Sequence, residues 1–361
     1  MRQHVVVLGG TGFVGRHLVP RLLADGHRVT VLSRGISDAA RAHFSRNASL
    51  IEGDVHDGGF LRAVLDDADA VVNLVGILNE RGDDGSGFRR VFVELIDTLV
   101  DAMQAHGVRR LLQMSALHAG DGESHYLQAR GQAEARVRGS GLEWTLLRPS
   151  VIAGPGDGLF CRFDALLKFM PVLPLGGAEA CFQPVWVGDV AEAFARALAN
   201  PASIGQSFDL VGPDRYTLAE IVHMTASARG RHRLVVPLPP ALGKLQAEVG
   251  EHLPGKPISR DNWRSLQLDS TSDHNGLPRL GITPTMVAPR LAEILGLDAA
   301  RAARQDSTLR FAFNPGAPRW DCSTCCWATP ATSRWTTWPP TSSRCSRRAR
   351  PCSARSAWCA T

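Results

Sequence analysis

The first stretch with chemical content is Gly9-Gly10-Thr11-Gly12-Phe13-Val14-Gly15. Gly9, Gly12 and Gly15 recur at every third position, after the apolar run Val5-Val6-Val7-Leu8 and before a helical pattern reaching Ala24. A glycine in the first place permits a tight turn, one in the second lets a pyrophosphate approach the backbone, and one in the third lets helix and strand pack closely. The free N–H groups of the helix start then face the anion. No Gly-Lys-Ser/Thr follows, which argues against a P-loop. A strand, this spacing and a helix together point to a dinucleotide.

Which dinucleotide turns on the end of the second strand. An acid there grips the ribose hydroxyls of NAD, but this chain has Ser33-Arg34. Arginine pairs with a 2′-phosphate and Ser33 can donate to it, so NADP(H) is preferred over NAD(H). The plainer alternative is a solvated surface arginine. Asp54, in Gly53-Asp54-Val55, is placed either to accept from the adenine amino group or to cap the next helix. In Asn73-Leu74-Val75-Gly76, Gly76 can let backbone approach the adenosine ribose, while Asn73 can instead fasten neighbouring strands. The expected nucleotide contacts are thus Gly9, Thr11, Gly12, Phe13, Val14, Gly15, Ser33, Arg34, Asp54, Val55, Leu74, Val75 and Gly76.

These residues need a scaffold, and alternating patterns supply one. Strands are expected at Val5–Leu8, His27–Leu32, Ser49–Glu52, Asp69–Val75, Arg109–Ser115 and Glu143–Leu147, with helices at Gly59–Asp66, Phe88–His106 and Tyr126–Arg138 between them. Such alternation implies an α/β fold, a Rossmann-like doubly wound parallel sheet covered on both faces. Later, Phe182–Val187 suits a strand entering a helix Asp189–Leu198 capped by Asp189, and Gln206–Val211 a late sheet strand. Thr217 and Glu220 have capping-box spacing. Prolines and glycines between Pro237 and Pro257 suggest a small irregular lobe. The division is residues 1–155 for the nucleotide-binding region, 156–315 for the remaining strands and a small C-terminal substrate lobe, and 316–361 for an atypical tail.

Composition narrows the function class. With 44% apolar residues in 361, the body can bury a large core, and global disorder is not expected. The net charge of +5 sits in the tail, where seven arginines face one acid, Asp321; the near-neutral body offers no groove for nucleic acid. After Leu309 there is no Leu, Ile or Val, so the tail reads as disordered or poorly packed, with the composition of an out-of-frame translation. Cys322 and Cys325 have CxxC spacing, but no convincing return pair follows, and no metal site is expected. Met1-Arg2-Gln3-His4 leads straight into an apolar run too short to cross a bilayer, so a cytoplasmic body is expected, with docking on the inner membrane face left open.

Over residues 1–315 the sequence resembles the extended, atypical short-chain dehydrogenases/reductases, and within them the group of the 39-kDa accessory subunit of mitochondrial complex I and its bacterial relatives. The likeness is carried by the glycine turn, Ser33-Arg34, Gly53-Asp54-Val55, Met114-Ser115-Ala116-Leu117, Tyr126-Leu127-Gln128-Ala129-Arg130, Leu147-Arg148-Pro149-Ser150 through Asp157, Gln183-Pro184-Val185-Trp186-Val187-Gly188-Asp189, and Gly212 to Leu218. In that superfamily the active tyrosine lies one helical turn before a lysine, on the same face. The resemblance makes Tyr126 that tyrosine, but Arg130 stands at the lysine position. Arginine keeps the charge that holds the nicotinamide ribose and changes its shape and donor geometry. Ser115, at the end of the fifth strand, would orient a carbonyl, or else it merely satisfies the strand end. Pro149 and Ser150 match the loop beside nicotinamide, with a backbone carbonyl left free. The plain alternative for Tyr126 is a helix-surface aromatic.

The resemblance implies three functions. One is an NADP(H)-dependent reductase using Ser115, Tyr126 and Arg130 on a carbonyl or quinone-pathway substrate. Another is a non-catalytic, nucleotide-retaining structural or assembly factor for a respiratory membrane complex. The third is an NAD(P)-dependent epimerase acting on a nucleotide-sugar.

Overall fold

The computed structural model describes residues 2–44, 48–253, 256 and 258–297. The tail and its cysteines lie outside them. Seven parallel strands form the central sheet: β1 (His4–Leu8), β2 (Arg28–Ser33), β3 (Ala48–Glu52), β4 (Ala70–Asn73), β5 (Arg110–Met114), β6 (Glu143–Pro149) and β7 (Gln206–Leu210), in the order β7-β6-β5-β4-β1-β2-β3. The β1 run is apolar at every position because it is covered on both faces. Val5 and Val7 enter one core layer while Val6 and Leu8 enter the other. The first layer takes the helices Gly15–Ala24 and Val187–Ala199, and the second takes Gly58–Leu65, Leu95–Ala105 and His125–Gly139. The chain reverses its direction of travel across the sheet between β1 and β4, and the glycine turn emerges from β1 at that crevice.

A smaller lobe hangs beyond the sheet. Its parallel strand pair Val172–Leu175 and Leu234–Pro237 packs with the helices Phe160–Phe169 and Leu218–Ala228 on a third core that includes Leu167, Leu173, Val222 and Val235. The capping box Thr217–Glu220 starts the second of these helices.

Several expectations change here. The helix Val187–Ala199 begins before Asp189, which does not cap it; the buried Asp189 carboxylate instead accepts from Thr285 N (2.7 Å) and Thr285 Oγ1 (2.8 Å). The stretch before it forms two short strands, Cys181–Phe182 and Val185–Trp186. The proline-rich stretch after Pro237 is not irregular throughout: Pro239 and Pro240 sit where a helix tolerates proline, and Pro240–Glu251 is helical. The expected single helix Phe88–His106 is three pieces, Ser86–Arg89, a π-helical turn Arg90–Glu94, and Leu95–Ala105.

Candidate functional site

A cavity of about 1070 Å³ opens at the crevice. That exceeds the usual volume of a single-ligand pocket, so there is room for a dinucleotide and a second molecule. Of the residues expected from sequence, Gly9, Thr11, Gly12, Phe13, Val14, Gly15, Ser33, Arg34, Val55, Leu74, Val75, Gly76, Ser115, Tyr126, Arg130, Pro149 and Ser150 all line it. Asp54 does not.

At the nucleotide end, Gly9 has φ +73°, and its N–H donates to Leu32 O at 3.1 Å. A Cβ on Gly15 would lie 2.2 Å from Gly10 O, so only glycine lets the first helix sit this close to the turn. The backbone therefore has the cradle that a pyrophosphate requires. Thr11 Oγ1 and Ser33 Oγ are 2.9 Å apart, and Ser33 Oγ donates to Gly35 O at 3.0 Å. The Ser33 hydroxyl therefore lies between Thr11 Oγ1 and Gly35 O, at the edge of the groove beside Arg34. Arg34 is exposed and forms no ion pair among the described residues. Nearby, burial and then Arg90 and Arg34 hold His56 below its ordinary pKa, against the pull of Asp54.

Asp54 closes a local turn by accepting from His56 N at 3.0 Å. The cap of Gly58–Leu65 is Asp57, which accepts from Gly59 N (2.8 Å) and Phe60 N (3.3 Å). Asn73 fastens strands, donating from Nδ2 to Gln113 Oε1 (2.9 Å) and accepting from Val75 N (3.1 Å).

At the inner end, Ser115 is 3% exposed and its Oγ has no partner among the described residues. Pro149 O is not free, because it accepts from Leu117 N at 3.1 Å. The Ser150 hydroxyl is likewise engaged, donating to Ser270 O at 2.7 Å. Tyr126 and Arg130 share one face of the helix His125–Gly139. The Arg130 guanidinium lies 3.8 Å over the Phe92 ring and 5.4 Å from the Tyr126 ring, and its Nη1 donates to Met114 O at 2.9 Å. Arg130 Nε is buried without a partner among the described residues. Gly76 makes room for this arginine, since a Cβ there would lie 2.8 Å from Arg130 Nη2. Tyr126 stands edge-on to Phe88 (5.8 Å) and Phe92 (5.6 Å). These two phenylalanines come from either side of the start of the π-helical turn, a feature common near functional sites.

Asp261, from the helix Arg260–Ser265, was not foreseen. Its carboxylate accepts from His125 N (2.6 Å), Tyr126 N (3.1 Å) and Ser124 Oγ (2.9 Å), so the lobe caps the helix that presents Tyr126. The same lobe segment grips the loop after β4. Arg264 forms a forked pair with Asp83 (2.7 and 2.9 Å), and Lys256 Nζ donates to Glu80 O (2.9 Å). On the far wall, Asp157 accepts from Gly154, Leu159 and Cys161 N–H groups, and burial pushes its carboxyl above the usual range. From the lobe, the same cavity is lined by an apolar chamber wall of Leu166, Met170, Leu173, Leu175, Leu266 and Leu268, with Arg162, Gln246 and Asn262 as polar members.

Comparison with known proteins agrees with this geometry. A family model described as NAD(P)H-binding matches residues 9–161, from the glycine turn into the first helix of the lobe. Subunit 9 of the NADH dehydrogenase [ubiquinone] 1 alpha subcomplex from Arabidopsis thaliana is 34% identical over 229 residues, 60% of this chain and 56% of that protein. Residues 9–161 match an NAD(P)H-binding family, and the chain is similar over 60% of its length to that complex I subunit. It thus spans just over half the length of that relative. A ceramide reductase from Caulobacter vibrioides is 28% identical over 239 residues, 66% of this chain and 74% of that protein. The fold is shared with the UDP-glucose 4-epimerase of Thermus thermophilus, solved in complex with NAD, at 23% identity and TM-score 0.57 over 72% of this chain and 99% of that one. Among the described residues no helix is long and apolar enough to cross a membrane.

Proposed function

We propose that this protein is an NADP(H)-dependent reductase of an apolar carbonyl compound, with residues 1–155 holding the nucleotide and 156–315 receiving the substrate. The observation that carries this reading is the Ser115 hydroxyl, which lines the cavity and is buried without a partner among the described residues. A buried hydroxyl without a partner is costly, and a substrate carbonyl oxygen supplies the missing acceptor. Nicotinamide, when bound, supplies a hydride. Ser115 orients the carbonyl, Tyr126 gives its phenolic proton to the carbonyl oxygen, and Arg130 holds positive charge beneath the Tyr126 side chain. Arg34 supports the 2′-phosphate form, because no acid occupies the end of β2. The apolar chamber favours a quinone-like or long-chain carbonyl over a nucleotide-sugar, and the likeness to a ceramide reductase supports that choice.

One observation favours a second reading, a nucleotide-retaining structural or assembly subunit of a respiratory complex, in keeping with the complex I relative. Arg130 is already tied to Met114 O and stacked on Phe92, a less mobile arrangement than a lysine would have.

The two are separated by purifying the protein without added nucleotide, identifying the retained cofactor by mass spectrometry, and following its absorbance with long-chain ketones and quinones. Substrate-dependent oxidation that is lost in Tyr126→Phe, with nucleotide retention unchanged, supports the reductase. Retained nucleotide that none of these compounds oxidises supports the structural subunit. Arg34→Ala is expected to weaken NADP(H) about tenfold while leaving NAD(H) unaffected.

A further inference from the structure

The apolar chamber does not end inside the protein. Its walls continue outward into a face on which large apolar side chains stand in solvent. Phe169 is 79% exposed and Leu234 60%, and Val172 is paired in register with Leu234 across the lobe's strand pair. The helix Pro240–Glu251 is fastened beside that pair, with Gln246 Nε2 donating to Pro174 O (2.8 Å) and its Oε1 accepting from Gly176 N (2.9 Å). Leu242, Leu245 and Val249 follow at helical spacing on its open side, about half exposed, and Val249 also lines the cavity. A cluster of this kind on one lobe exceeds the scattered apolar exposure normal for a surface.

The charges around it decide the occupant. Lys168 lies against the Phe169 ring (5.5 Å), Arg233 immediately precedes Leu234, and Lys244 lies between Leu242 and Leu245. None of the three meets a carboxylate within ion-pair distance among the described residues. Close by, Asp164 is shared by Arg229 and Arg231, which leaves a further net positive charge. The exposed acid on the same helix, Glu248, lies on the flank of the leucine stripe. Apolar side chains interleaved with unpaired cations match the boundary between anionic headgroups and acyl chains.

We infer that this face docks on an anionic lipid surface, so that the cavity mouth at Val249 opens against the bilayer. The inference stands apart from turnover, because the surface is complete whether or not Tyr126 transfers a proton.

The test is co-sedimentation of the full chain with phosphatidylcholine vesicles, with and without about a third phosphatidylglycerol. Binding is expected to the mixed vesicles only, and to fall with added salt. Leu242→Glu/Leu245→Glu should reduce it at least about tenfold, and Lys168→Glu/Lys244→Glu about fivefold per site, both with unchanged nucleotide retention and thermal midpoint. Three results would overturn the inference. The first is no binding by the unmodified protein. The second is equal binding by the leucine variant, which places adhesion elsewhere in the chain, residues 298–361 included. The third is a concentration-dependent dimer, abolished by the leucine variant, with no vesicle binding, which makes a second copy the occupant.

Discussion

At the glycine turn an added methyl has nowhere to go: a Cβ at Gly15 would meet the Gly10 carbonyl at 2.2 Å, and one at Gly10 would meet Val31 Cγ1 at 2.8 Å. Across the same cavity, leucines of the helix Pro240–Glu251 stand about half in solvent, and the lobe is held by side-chain pairs such as Arg264–Asp83. One wall is closed by the turn's own backbone and by Val31 of the adjacent strand. The other is made by long-range latches and leaves apolar surface uncovered. A nucleotide presents the same pyrophosphate to every protein that binds it, so its cradle can be tight and local. The opposite wall is free to differ, and its looser construction is where this protein's own specificity is set.

That contrast can be broken from either side. The largest effect is expected at Gly15→Ala, where the first helix must move off the turn. A loss of about 3 kcal/mol in denaturant unfolding, together with loss of retained nucleotide, is expected; an unchanged midpoint would show that the turn has slack. Next comes Asp261→Ala, which leaves the His125 and Tyr126 N–H groups and the Ser124 hydroxyl without their acceptor. We expect a cost of about 2 kcal/mol, with turnover falling further than nucleotide affinity. The smallest effect is a pH response. The Arg264 guanidinium holds the Asp83 carboxyl below its ordinary range, more than offsetting burial. A depressed carboxylate stabilises the folded state above its unfolded pKa and loses that contribution as pH falls through its folded value. Hydrogen exchange in residues 78–85 and 258–265, corrected for its intrinsic pH dependence, should therefore accelerate as pH falls below the ordinary carboxylate value of about 4, while β1 and β4 stay protected. Uniform acceleration across the sheet would show that the latch is not a separate unit.

The middle of the sheet was legible in the sequence because strands such as β1, β2 and β4 are short, nearly continuous apolar runs between glycine and helical patterns, and burial on both faces imposes that signature. The residues around the cavity were legible where they belong to spaced motifs, as with Gly9, Gly12 and Gly15 or with Tyr126 and Arg130. Asp189 was misjudged as a cap, and capping was one of two roles open to Asp54, because an acid near a helix start looks the same whether it accepts from its own helix, as Asp57 does, or from distant backbone, as Asp189 does from Thr285. Phe88 and Phe92 carried a usable signal, since they share the spacing of Tyr126 and Arg130 and the two pairs interlock. The π-helical turn carried none, because one extra residue per turn leaves no compositional mark. The helix Pro240–Glu251 was hidden by prolines whose positions at its start favour rather than break it.

The grip of Asp261 on Ser124, His125 and Tyr126 spans 135 to 137 residues of chain. During synthesis, the helix bearing Tyr126 leaves the ribosome with its first turn unfinished, while the glycine turn already has β1, β2 and the helix Gly15–Ala24 beside it. Domains form from the amino end as the chain emerges, and distant contacts are made late. The turn that would cradle the nucleotide is therefore in place in the nascent chain well before the tyrosine is fixed.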